Sequence, residues 1–234
     1  MKIAIMQPYF FPYIGYFQLM NAVDEFIIYD NIEYTKKGWI NRNRILVNGG
    51  ASYITLPLKK DSDYLDIRGR RMADIWSLER KKMLNRIAGA YHKAPFFEAV
   101  YPLIEDIILF EGVNLFNFIH NSLLLVNKYL EIKTHLVVSS MLSIDHQLKA
   151  EKKVIKICET RGASVYINPI GGLHLYNRSN FKDKGIELFF IKVKDLTYRQ
   201  FENKFVPYLS IIDVMMFNSV KKTQKYLKTF YSLV

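Results

Sequence analysis

The sequence predicts an α/β fold, a mostly parallel sheet carrying a β-hairpin and a helical insertion, and three observations predict it. Two short apolar runs, 2–6 and 25–29, enclose a segment that breaks at Pro, passes one Gly and turns helical, the pattern of a first βα unit. A β-branched and aromatic pair of runs around Asn48-Gly49-Gly50 has the signature of a hairpin. From 135 onward strand-like and helix-like segments alternate as βαβ units do. With 234 residues, half of them apolar or aromatic, the chain suffices for one large α/β domain spanning 1–234.

Each element has its own signal. In the hairpin, 44–47 and 52–56 flank a dipeptide, Asn48-Gly49, that supplies the positive φ angles of a primed turn. The charged stretch 61–71 has no clear period and reads as a surface loop; Asp61, Asp63 and Asp66 lack the spacing of a calcium loop and read as partners of nearby Lys and Arg. Residues 75–130 read as a helical insertion of about three helices, punctuated at Ala94-Pro95 and Glu111-Gly112. The last helix is marked by the stripe Leu115, Ile119, Leu123, Val126 and Leu130. Strand 135–139, helix 147–160, strand 164–168 and strand 187–192 resume the sheet. In that helix Asp145 is the expected N-cap, with Ala150, Val154, Ile157 and Cys158 as its packing face and Arg161-Gly162 at its end. Residues 208–234 read as one or two closing helices.

Composition narrows the function. Lys and Arg outnumber Asp and Glu by 33 to 22, a net charge of +11, which attracts phosphorylated ligands, nucleic acid or an anionic surface. The basic residues are dispersed, however, as solvated faces are. One cysteine excludes an internal disulfide, and its lack of a nearby His makes Cys158 a buried packing thiol. No apolar run has the length of a bilayer span, and Met1-Lys2 leads straight into a strand without a secretory signal, so a cytoplasmic protein is expected. The five histidines have no metal-ligand spacing, and no metal site is expected; P-loop, dinucleotide and G-x-S-x-G patterns do not occur. The cofactor is not readable.

The chemistry-bearing residues gather where strands end. Open α/β sheets bind ligands at the carboxyl ends of their strands. Gln7 ends the first strand, and Gly15 leaves room for a ligand or for helix-on-strand packing at the start of the helix. Asp30 ends the second strand, as a general base or as a cap for loop amides. Lys36, Asn41, Arg42 and Asn43 form a dense donor set. Arg42 is suited to a phosphate or carboxylate, and Trp39 and Tyr34 supply stacking faces or hairpin packing. Ser139 and Ser140 close a further strand, and Gly171-Gly172 follow another, permitting close approach of a ligand.

The first βα unit is similar to that of Rossmann-like nucleotidyltransferases and class I aminoacyl-tRNA synthetases, whose histidines contact triphosphate. Those histidines are missing here, and Tyr16 stands where the second would be. More specifically, residues 7–43 (QPYFFPYIGYFQLM, then YDNIEYTKKGWINRN), 149–172 and 208–218 (YLSIIDVMMFN) resemble the WbqC-like protein family. The stretch Leu196-Thr197-Tyr198-Arg199-Gln200 departs from it by lacking a His-Pro before the Tyr. The resemblance implies a bacterial protein of surface-polysaccharide (O-antigen) gene clusters. It implies a transferase moving an acyl or aminoacyl group onto an amino sugar carried on a nucleotide, with Asp30 and Gln7 catalytic. Gly15, Tyr16, Lys36, Trp39, Asn41, Arg42, Asn43, Ser139, Gly171 and Gly172 would bind substrate. ATP-dependent nucleotidyl transfer or ligation, aminoacyl-tRNA recognition and a non-catalytic assembly role stand as alternatives.

Overall fold

The computed structural model describes residues 1–202 and 204–234. Alternating apolar residues make both faces of the central strands buried, as a parallel sheet covered by helices requires. In β1 (Lys2–Met6) Ile3 and Ile5 face one core and Ala4 the other; in β2 (Glu25–Ile28) Ile27 faces the first and Phe26 and Ile28 the second. The sheet is completed by β5 (His135–Val138), β6 (Val165–Pro169), β7 (Glu187–Val193) and β8 (Tyr231–Leu233), in the order β5-β2-β1-β6-β7-β8. All neighbours are parallel except β7 and β8. The chain thus moves outward from β1 to β2 and β5, then crosses back to β6 on the other side of β1, the kind of reversal beside which open α/β sheets bind ligands.

One face is covered by α5 (Ala150–Thr160) and α6 (Arg178–Lys182), the other by α1 (Ile14–Asn21) and α8 (Val220–Thr229). Helix α1 is buried from Ile14 to Met20, because the sheet lies on one side of it and α8 on the other. Gln18 Nε2 donates to the Tyr226 and Phe230 carbonyls at the end of α8, which also accept from the Phe230 and Lys194 amides. Beyond them stand α2 (Trp76–Tyr91), α3 (Phe97–Ile108), α4 (Leu115–Tyr129), α7 (Ile211–Phe217) and the separate antiparallel hairpin β3 (Arg42–Val47) and β4 (Gly50–Thr55). Asn48 and Gly49 turn that hairpin with φ of 49° and 75°, and the whole α4 stripe from Leu115 to Leu130 is buried.

Three details differ from the sequence expectations. Helix α5 begins at Ala150 rather than 147: Ala150 is exposed and has φ 47°, which a continuous right-handed helix cannot pass through, and Asp145 instead accepts from the Gln147 amide at 2.9 Å. The chain ends in the edge strand β8, not in helix, because pairing with β7 satisfies its backbone (Ile191 opposite Leu233). The loop before β7 contains the short helix α6, whose Phe181 packs against Tyr166.

Candidate functional site

Parallel register brings the predicted strand-end residues to one edge. Met6 lies opposite Ile28, Ile28 opposite Val138, and Ile3 opposite Tyr166, so Gln7, Asp30, Ser139, Ser140 and the segment after Pro169 all leave the sheet on the same side. Asp30 is buried there. Its Oδ1 accepts from Ser139 Oγ at 3.0 Å and from the Ser140 amide at 2.9 Å, and its Oδ2 from Ser140 Oγ at 2.6 Å. Ser139 Oγ also lies 2.5 Å from Asn31 Oδ1, and Asn31 Nδ2 lies 2.9 Å from His146 Nδ1, which accepts as the Nε2–H tautomer. Lys153 reaches in from α5, 3.4 Å from the Asn31 carbonyl and 5.0 Å above the Tyr29 ring, and burial lowers its pKa. Burial also lowers the pKa of His120 on α4, a shift opposed by the charge of Asp30, so its imidazole is neutral at pH 7.

The glycines and Tyr16 build this edge from behind. Tyr16 is buried against Phe26 and donates its hydroxyl to the Gln7 carbonyl at 3.0 Å, fixing where β1 ends. A Cβ on Gly15 would overlap the Tyr13 ring, so this glycine lets Tyr13 fold back over the start of α1. Gly172 is likewise covered by the Asn168 amide, whereas Gly171 is exposed with open space around it.

The remaining predicted residues lie along the hairpin, in two further clefts. Asn43 is buried, donating to the Phe10 carbonyl at 3.1 Å and the Phe11 carbonyl at 2.8 Å. It thereby holds the 7–12 turn, where Phe11 has φ 41°. Arg42 donates to the carbonyls of Lys37 and Gly38 and lies 4.9 Å over the Tyr53 ring, so its fork is engaged by its own loop. Trp39 stacks on Tyr53 and, with Tyr9, Pro12, Tyr13, Asn43, Arg44 and Tyr208, lines a cleft of about 350 Å³. Lys36, paired with Asp63 at 2.6 Å, and Asn41, bonded to Tyr34 and to the Leu56 carbonyl, line a second cleft of about 470 Å³ together with Arg70. The predicted residues therefore divide between the sheet edge and the hairpin clefts.

A profile of the WbqC-like protein family matches residues 7–225. The chain belongs to the WbqC-like protein family. It is 29% identical, over 97% of both chains, to "Uncharacterized protein Rv1507c" of Mycobacterium tuberculosis (strain ATCC 25618 / H37Rv). No solved structure matches.

Several polar groups of this WbqC-like chain escaped the sequence reading. Arg44, two residues from Arg42 on the same face of β3, carries the guanidinium that borders the 350 Å³ cleft, and pattern alone does not separate the two. Buried Asp213 on α7 accepts from Tyr198 Oη at 2.6 Å, Gln200 Nε2 at 2.6 Å and Tyr91 Oη at 3.0 Å, while Tyr91 Oη accepts from the Leu46 amide at 2.9 Å. This node joins α2, β3, α7 and the 196–200 segment, so that segment has a structural role in the WbqC-like chain without a His-Pro. Its one sequence signal was an acid inside the apolar 208–218 run. Among the described residues no group of three His, Cys, Asp or Glu is placed to hold a metal ion, and no helix is long and apolar enough to cross a membrane.

Proposed function

We propose that this protein is a cytoplasmic transferase of surface-polysaccharide biosynthesis, on a Rossmann-like scaffold, that moves an acyl or aminoacyl group onto the amine of a nucleotide-linked amino sugar. The observation that carries this reading is the buried carboxylate of Asp30 at the carboxyl edge of the sheet, with the half-buried imidazole of His120, whose pKa burial lowers, within reach of its charge. Amine acylation needs a proton acceptor. As the amine nitrogen bonds to the donor carbonyl carbon, it loses a proton to His120, and Asp30 stabilises the imidazolium that forms. The carbonyl carbon then expels the donor's thiol or hydroxyl, which takes that proton back. Ser139 and Ser140 hold Asp30 oriented through their hydrogen bonds. Gln7, whose carbonyl is anchored by Tyr16, offers its side-chain amide to the donor carbonyl. The choice of sugar rests on the polysaccharide gene context that the family resemblance implies.

The test is product formation by mass spectrometry from nucleotide-linked amino sugars with acyl-CoA or aminoacyl-tRNA. Asp30→Asn and His120→Gln are each expected to lower turnover at least ~100-fold, with cooperative unfolding retained. Wild-type turnover in either folded variant, or no product from any donor, would overturn the reading.

A further inference from the structure

The cleft between the 7–12 turn and the hairpin is walled by the rings of Tyr9, Tyr13, Trp39 and Tyr208, with Arg44 among them, and encloses about 350 Å³. That volume lies within the range of small-molecule sites. Its rings are held rather than loose: Tyr13 packs edge-on to Tyr208, Tyr13 is seated over Gly15, and Trp39 is stacked on Tyr53. Tyr208, 65% exposed, has φ 56°, an unfavourable backbone for a bulky side chain.

Arg44 is the deciding group. Its guanidinium stands 5.5 Å from the Trp39 ring and donates one hydrogen bond, from Nη2 to the Tyr208 carbonyl at 3.1 Å. Its Nε is buried without a partner, and among the described residues no carboxylate pairs with it. Among the described residues no acidic side chain lines the cleft. A neutral sugar would use the rings and leave the guanidinium uncompensated; an inorganic anion would do the reverse. A planar ring carrying a phosphate uses both, the ring between aromatic faces and the phosphate on the fork of Arg44.

We propose that this cleft binds the nucleotide portion of the activated sugar, with the base among Tyr9, Tyr13, Trp39 and Tyr208 and a phosphate on Arg44. The proposal deepens the transferase reading and rests on it for the sugar, but nucleotide binding is testable alone.

The probes are UDP, ADP, GDP and TDP, with the matching nucleoside and inorganic pyrophosphate as controls, followed by calorimetry and tryptophan fluorescence. One diphosphate is expected to bind and quench a signal that Trp39→Phe removes. The nucleoside is expected to bind at least tenfold more weakly, and pyrophosphate to give no quench. Arg44→Gln should weaken the diphosphate at least tenfold and leave the nucleoside unchanged. Tyr208→Ala, at an exposed position that tolerates truncation, should weaken both. The proposal falls if none of the four binds, if both variants bind as wild type does, or if pyrophosphate competes as well as the diphosphate. Nucleotide binding of this kind without any group transfer would refute the transferase reading alone; transfer with an unchanged KM for the nucleotide sugar in Arg44→Gln would refute this proposal alone.

Discussion

Replacing Asp213 by Ala removes the acceptor on which three donors converge, from Tyr91, Tyr198 and Gln200. A hydrogen bond to a charged acceptor contributes about 1.5–3 kcal/mol, so the gross loss is roughly 4.5–9 kcal/mol. Part is offset, because the substitution also relieves the burial of a carboxylate, the chief cause of the raised pKa of Asp213. Removing one member of a buried charged network costs about 3–5 kcal/mol net. With a urea dependence of about 3 kcal/mol per molar for a chain of this size, the unfolding midpoint should drop by about 1–1.7 M. Tyr198→Phe, which deletes one donor, should lower it by less. The pH dependence has a definite sign: a carboxyl whose folded pKa is raised binds its proton more tightly folded than unfolded. Its contribution is therefore present below the ordinary carboxylate value of about 4 and is lost as pH rises through the folded value. The stability of the wild type relative to Asp213→Asn should thus decline with rising pH over that window and then level off. A midpoint shift under about 0.3 M for Asp213→Ala, or a relative stability that rises with pH, would refute this account of the node.

Two further outcomes test the sheet. Glu25, bonded through both oxygens to Arg161 at 2.8 and 2.6 Å, has its pKa lowered chiefly by that hydrogen bonding. Glu25→Gln should cost about 1 kcal/mol at pH 7; the cost should vanish as pH falls through the depressed folded value, and a pH-independent difference in urea midpoint would contradict it. Cys158 is fully buried and its thiol is pushed up to about 12 by burial. It should resist Ellman's reagent at pH 8 until urea unfolds the chain, and labelling of the folded protein at the rate of a free thiol would sink that reading.

How much was legible depended on how local each signal was. The turn of Asn48 and Gly49 and the α4 stripe are properties of a few adjacent residues, and both appear where the pattern puts them. Asp30 was visible as a carboxylate at a strand end, and Ser139 and Ser140 as neighbours of the same edge. The sequence left Asp30 both as base and as cap, and its three bonds to two serines across about 110 positions of chain supply the cap geometry at that edge. By contrast, nothing local distinguishes Arg42 from Arg44. Strand β8 escaped because three residues carry too little pattern until a partner strand lies beside them.

The order of apolar and polar residues by itself determined the α/β class, the hairpin, the helical region and the edge at which the strand-end groups emerge, because periodicity dictates which face each side chain must bury. Tertiary structure alone decided which polar groups are already satisfied from within. Arg42 and Asn43 are bonded to nearby backbone while Arg44 is left with an unpartnered nitrogen in an aromatic cleft, and Asp213 gathers donors from positions 91, 198 and 200. Hydrogen bonding is a matter of ångströms and angles between segments remote in the chain, and those distances exist only once the core has packed.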